Sequence, residues 1–129
     1  MESGKNYRRE LGLRGENIAC ELLCSKGHTI LERNWRSGHL EIDIITCNAD
    51  GIHFVEVKAR KMSIQAPPQD NVGHRKQSNI VKAAQRFLRE TDGLPFVARE
   101  CFFDVVAVTF TESGVQTEWI PQAYIPIYI

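Results

Sequence analysis

The chain has 129 residues, 43% hydrophobic and 25% charged, and its 16 basic and 16 acidic side chains balance to zero. That is chain enough for one domain with one core, with charge too evenly mixed for a disordered tail. Zero net charge excludes a strongly basic nucleic-acid coat, and no apolar run approaches the roughly 20 residues of a membrane span.

Met1 to Arg14 is polar and lacks the apolar segment of a secretory signal. The expectation is a cytoplasmic protein of one domain, 1–129, with no membrane contact. Charge is uneven along the chain. Residues 56–90 carry eight basic and three acidic side chains, and residues 91–129 carry one and five. A basic region beside a small acidic cluster follows.

Between Tyr7 and Lys26, Leu11, Ile18, Leu22 and Leu23 recur at helical spacing. Gly12 and Gly15 weaken the first half, so the firm helix is expected from about Arg14, with Gly27 as its stop. Cys20, Cys24, Cys47 and Cys101 show no Cys-x-x-Cys spacing. They read as free thiols rather than zinc ligands, His28 being the one further ligand nearby. His28–Arg36 reads as a strand, Ser37-Gly38 as a turn, Leu40–Cys47 as a second strand and Ile52–Arg60 as a third. Asp50-Gly51 marks the hairpin between the last two.

The stretch from Lys61 to Gly73, with Pro67-Pro68, is a long loop of the kind that is functional or mobile. Ile80, Ala84, Phe87 and Leu88 give a second helix over 74–91. Cys101–Phe110 and Val115–Ile120 close the chain as strands. The order α-β-β-β-α-β-β, with one parallel crossover, predicts an α/β fold: a mixed β-sheet flanked by helices.

Two strands carry ionisable residues where core residues belong. Glu41-Ile42-Asp43 and Glu56-Val57-Lys58 both alternate, so each pair of charges shares a face. An Asp50-Gly51 loop opposes residues whose numbers sum to 101, setting Asp43 against Lys58. An Ala49-Asp50 loop gives 99 and sets Asp43 against Glu56. Both registers put Glu41, Asp43, Glu56 and Lys58 on one face, whereas a three-residue loop splits them. Crowded carboxylates need a compensating charge. Oxygen-only ligands such as Asp43 and Glu56 suit Mg²⁺ or Mn²⁺, with Lys58 placed to orient water or stabilise phosphate charge. The plainer alternative is a solvated sheet face with a Glu41–Lys58 ion pair.

Asp43 with Glu56-Val57-Lys58 resembles the PD-(D/E)XK core of restriction-endonuclease-like nucleases. More closely, the chain resembles the YraN family of small bacterial proteins related to Holliday-junction resolvases. The resemblance rests on Gly15-Glu16, Ile30 to Arg36, Glu41-Ile42-Asp43, Phe54 to Arg60, Lys76 and Phe103 to Val106, and covers about residues 12–110. It implies an αβββαβ nuclease core, nucleic acid (DNA foremost) as partner, and Mg²⁺ or Mn²⁺ as cofactor. Asp43 and Glu56 would bind the metal, and Lys58 would assist the attacking water. Glu16 would be an additional acidic residue and Glu41 would stand just behind the ligands. The family pattern has Gly before the Glu-Ile-Asp run, where this chain has Leu40.

Arg60 and Lys61, beside the acids, are phosphate candidates, as are Arg36 before the turn and Lys76 at the head of the second helix. Arg75, Lys82, Arg86 and Arg89 line one helical face and read equally as a solvated surface. Trp35 is expected to be buried. His39, His53 and His74 show no site-like spacing. Asp104, amid an apolar strand, needs an Arg or backbone donors. The apolar tail 120–129 must pack on the body or on a second copy, which makes a homodimer one expectation. Rival readings are a nucleic-acid-binding module without turnover and a small protein-interaction adaptor.

Overall fold

The computed structural model describes residues 4–62, 73–91 and 100–124. The elements run α1 (Gly4–Ser25), β1 (Thr29–Ser37), β2 (Leu40–Cys47), β3 (Gly51–Lys61), α2 (His74–Glu90), β4 (Glu100–Thr111) and β5 (Gly114–Ile120). All five strands form one sheet in the order β1-β2-β3-β4-β5. β3 and β4 are parallel and the other pairings antiparallel. Most of the long loop before α2 and the end of the tail, 63–72 and 125–129, lie outside the described residues, as do residues 92–99.

Each helix covers one face of the sheet. Ile80, Ala84 and Phe87 of α2 pack on Ile42, Ile45, Phe54, Phe103 and Val105. Ala19 and Leu23 of α1 pack on Ile44, Val55, Val106 and Val108. β3 and β4 alternate strictly between these two cores, as a strand covered on both sides must. Ile80, Ala84 and Phe87 recur at three- and four-residue spacing, which is why α2 presents one apolar stripe.

α1 starts a good ten residues earlier than Arg14. The two glycines do not end it because tertiary contact outweighs their propensity cost. Gly15 has a positive role: a Cβ there would sit 2.5 Å from Cβ of Ala59, so its absence lets the helix lie directly on β3. Gly27 ends the helix with φ +89, and the next amide, of His28, returns to the Leu23 carbonyl at 3.0 Å.

The β2–β3 hairpin has the Ala49-Asp50 loop. Ile44 pairs Val55 and Cys47 pairs Ile52, so opposing numbers sum to 99. The reason is local. Asn48 Oδ1 accepts the amides of Asp50 and Gly51, and the Asn48 amide bonds the Gly51 carbonyl at 3.0 Å. The Asn side chain shapes the turn and pulls Gly51 into the strand. Tyr124, the last described residue, packs against Phe103 of its own chain with ring centroids 5.5 Å apart.

Candidate functional site

Asp43 and Glu56 meet where β2 and β3 part. The pairing begins at Ile44↔Val55, and Ile42 and Ile44 belong to opposite cores, so the two-residue alternation breaks at Asp43. The amide of Val57 donates to Asp43 Oδ2 at 2.9 Å, in place of a backbone carbonyl. The carboxylate thus replaces a rung of the ladder and is fixed against Glu56, within hydrogen-bonding reach. Burial first, and the Glu56 charge second, push the Asp43 carboxyl up to about 7.

Two cavities open on this pair. One, of about 400 Å³, lies under α1 and is lined by Arg8, Gly12, Glu16, Asp43, Glu56 and Lys76. The other, of about 240 Å³, lies beside α2 and includes His39, Glu41, Asp43, Glu56, Lys76 and Asn79. Glu16 reaches the first because Gly15 seats the helix so low. It accepts from Asn34 Nδ2 at 3.0 Å and lies 3.7 Å from Arg33. Burial raises its carboxyl, and Asp43 adds to that. Lys76 comes from the first turn of α2 and places Nζ 2.6 Å from Glu56 Oε1.

The other sequence-derived candidates fall elsewhere. Glu41 lines the second cavity and pairs across the strand with Arg36 at 3.3 Å. Lys58, half-buried opposite Ala107 on β4, lines neither cavity. Its neighbours Val57 and Ala59 pack toward α1, which leaves Lys58 on the α2 side with Glu56. Arg60 lines a separate cavity with Ala107, Thr109 and Glu118. Lys61 lies over the Tyr7 ring, 5.7 Å from its centroid, on the other face. On α2, Arg86 donates to the Ser37 carbonyl at 3.1 Å, while Arg75, Lys82 and Arg89 are exposed. Trp35 packs edge-on to Phe87. The four cysteines are free.

A second polar cluster was not legible as such. Asp104 is fully buried and receives His53 Nδ1 at 2.6 Å, Trp119 Nε1 at 3.2 Å and the Gln122 amide at 2.9 Å. His53 Nε2 lies 3.0 Å from Asn48 Oδ1. Two amides already fix that oxygen as an acceptor, so both nitrogens of His53 face oxygen atoms. Asn48 Nδ2 faces His28 Nε2 at 3.4 Å, and His28 Nδ1 faces Thr46 Oγ1 at 2.6 Å. Burial, and then His53, lower the His28 imidazole below its ordinary value. Asp104 therefore takes a backbone donor, as expected, and a histidine and an indole rather than an arginine. The sequence signal was parity: His53 and Asp104 fall on the same face as Val55 and Val106.

Among the described residues no group of three or more His, Cys, Asp or Glu side chains could hold a metal by itself. The donor set nevertheless fits a hard cation. It offers two adjacent carboxylates, oxygen donors only, and open space for water and a phosphate, which commonly complete a Mg²⁺ shell.

A mixed sheet in αβββαβ order, carrying paired acids where two central strands part, is consistent with a restriction-endonuclease-like core. The model of the uncharacterised protein family UPF0102 matches residues 15–108, and the chain belongs to that family. Similar to it are the UPF0102 proteins of Nitratidesulfovibrio vulgaris (strain DP4), 39% identical over 91% of this chain and 85% of the relative, and Geobacter metallireducens, 40% identical over 92% and 94%. That of Syntrophomonas wolfei is 38% identical over 90% and 98%. Among the described residues no helix is long and apolar enough to cross a membrane.

Proposed function

We propose that this chain is a metal-dependent endonuclease-like protein that hydrolyses phosphodiester bonds in nucleic acid, with DNA, including branched or structured DNA, as the substrate class. The observation that carries the reading is the convergence of Asp43 and Glu56 at the parting of β2 and β3, held by the Val57 amide and facing open cavities. Acids placed for stability alone would not be set against each other with one of them pushed up to about 7.

Asp43 and Glu56 are the residues to hold Mg²⁺ or Mn²⁺. Such an ion supplies neutralisation of charge on the phosphate and a lowered pKa for water. Glu16 adds negative charge on the α1 side of the cavity, and Glu41, tied to Arg36, adds it on the α2 side. Lys58, two residues beyond Glu56 on the same side of β3, is the chain's candidate to orient the attacking water. Arg36, Arg60, Lys61 and Lys76 are candidates for the phosphate backbone.

Cleavage of linear, flapped and four-way-junction DNAs in Mn²⁺, beside an Asp43→Ala control, tests this. Metal-dependent cleavage lost in the variant supports it. Salt-sensitive retention of DNA without cleavage would leave a binding module of the same fold, which the neutralisation of Glu56 by Lys76 favours as the second reading. Neither cleavage nor retention would leave the adaptor.

A further inference from the structure

We propose that Lys76 is a placeholder cation: its ammonium holds Glu56 while the site lacks a divalent ion and must leave before one can bind. This rests on the reading of Asp43 and Glu56 as cation ligands and specifies how that site is occupied. The contact is 2.6 Å long, between a carboxylate that is 7% exposed and an ammonium-bearing side chain that is 60% exposed. One partner is thus fixed in the body of the protein, and the other reaches it from solvent on a flexible stem.

Helix electrostatics argue that Lys76 is not there for α2. Its first turn has no acidic residue, and a cation at a helix N-terminus opposes the macrodipole. What attracts Lys76 lies across the cavity. Glu56, Asp43 and Glu41 all act on it, with Glu56 the strongest. One ammonium therefore does for three carboxylates what a divalent ion does better, because it carries half the charge and accepts no lone pairs from both acids at coordination distance. The ion and the ammonium both draw on the Glu56 carboxylate, one of whose oxygens Lys76 already holds, so they compete. Once displaced, Lys76 is free to meet a phosphate, the role its position suggested in the sequence.

The test is calorimetric titration of the full chain with MnCl₂, with the Mn²⁺-induced rise in Tm as a second readout. Lys76→Met should bind Mn²⁺ about tenfold more tightly than the parent, the factor one charge-assisted contact contributes. Its Tm should rise more on adding the ion. Lys82→Met, on the exposed side of the same helix, should match the parent, and Glu56→Gln should lose binding. Lys76→Gln repeats the measurement should Met disturb the helix. Tightening in both Lys76 variants, or binding in them and not in the parent, supports the proposal. Equal affinity in parent and Lys76 variants, with binding lost in Glu56→Gln, overturns the placeholder and leaves the cation site standing. No binding in any of them overturns both.

Discussion

The sheet holds buried and half-buried carboxylates at two places, and it treats them in opposite ways. Asp104 on β4 is sealed and receives three donors, from His53, Trp119 and the Gln122 amide. Asp43 on β2 receives one backbone amide and faces a second acid. The first cluster satisfies its charge from within, as a buried charge requires. The second sets two acids against each other, meets them with the single Lys76 ammonium and opens them to two cavities. A buried acid is therefore not evidence of a site. The evidence is a buried acid whose surroundings worsen its charge and leave room for something to relieve it.

The two regions also pull stability in opposite directions with pH. The folded-state value of Asp43, about 7, lies above its ordinary 3.8. The contribution of its protonated form is full below about pH 4 and is lost as pH rises through 7. His28 is lowered in the fold, so the unfolded chain takes up the proton more readily, and stability falls as pH drops below about 6.5.

The sharpest break of the comparison is Asp104→Ala. It strands the His53 ring, the indole N–H and the Gln122 amide, and should cost about 3–5 kcal/mol in urea unfolding. The Mn²⁺-induced rise in Tm proposed for the acid pair, measured under conditions where the variant is folded, should be retained. A cost under about 1 kcal/mol would mean that the cluster is not the sealed unit described.

Gly15→Ala should cost about 1–3 kcal/mol, because the new methyl meets Ala59 and α1 must lift. That lift also carries Glu16 away from Asp43, so the Mn²⁺ response should change as well. A neutral substitution would show that α1 is not pinned there.

Asp43→Asn keeps an oxygen to accept the Val57 amide and removes the repulsion. It should gain about 1–2 kcal/mol at pH 8 and nothing at pH 4, with the Mn²⁺-induced rise in Tm lost. Equal gains at both pH values would separate the effect from ionisation. The smallest effect is that of Trp119→Phe, which removes one of three donors to Asp104. It should cost about 1 kcal/mol and leave the Mn²⁺ response untouched, in contrast to every variant at the acid pair.

Much of the fold was legible because it follows from local pattern. Ile80, Ala84 and Phe87 make a helix stripe by spacing alone, and the β-branched runs of the central strands admit little else. The order of elements then allows one parallel crossover. Asp43 and Glu56 were legible because acids in an apolar strand stand out, although the alternation of β2 breaks at Asp43 itself.

Other features needed three dimensions. Two turn loops were compatible with the sequence around Asp50, and the Asn48 side chain chose between them by capping two amides. Gly15 reads as a helix weakness until Ala59 is seen against it, because propensity is local and close approach is not. Lys58 and Lys76 are both lysines near an acid in sequence or family pattern, but only packing brings α2 across the sheet so that Lys76 contacts Glu56. His28, Asn48, His53 and Asp104 lie 76 residues apart end to end. Their joining depends on β3 and β4 lying parallel, a pairing that sequence spacing permits and that burial of both faces of the sheet decides.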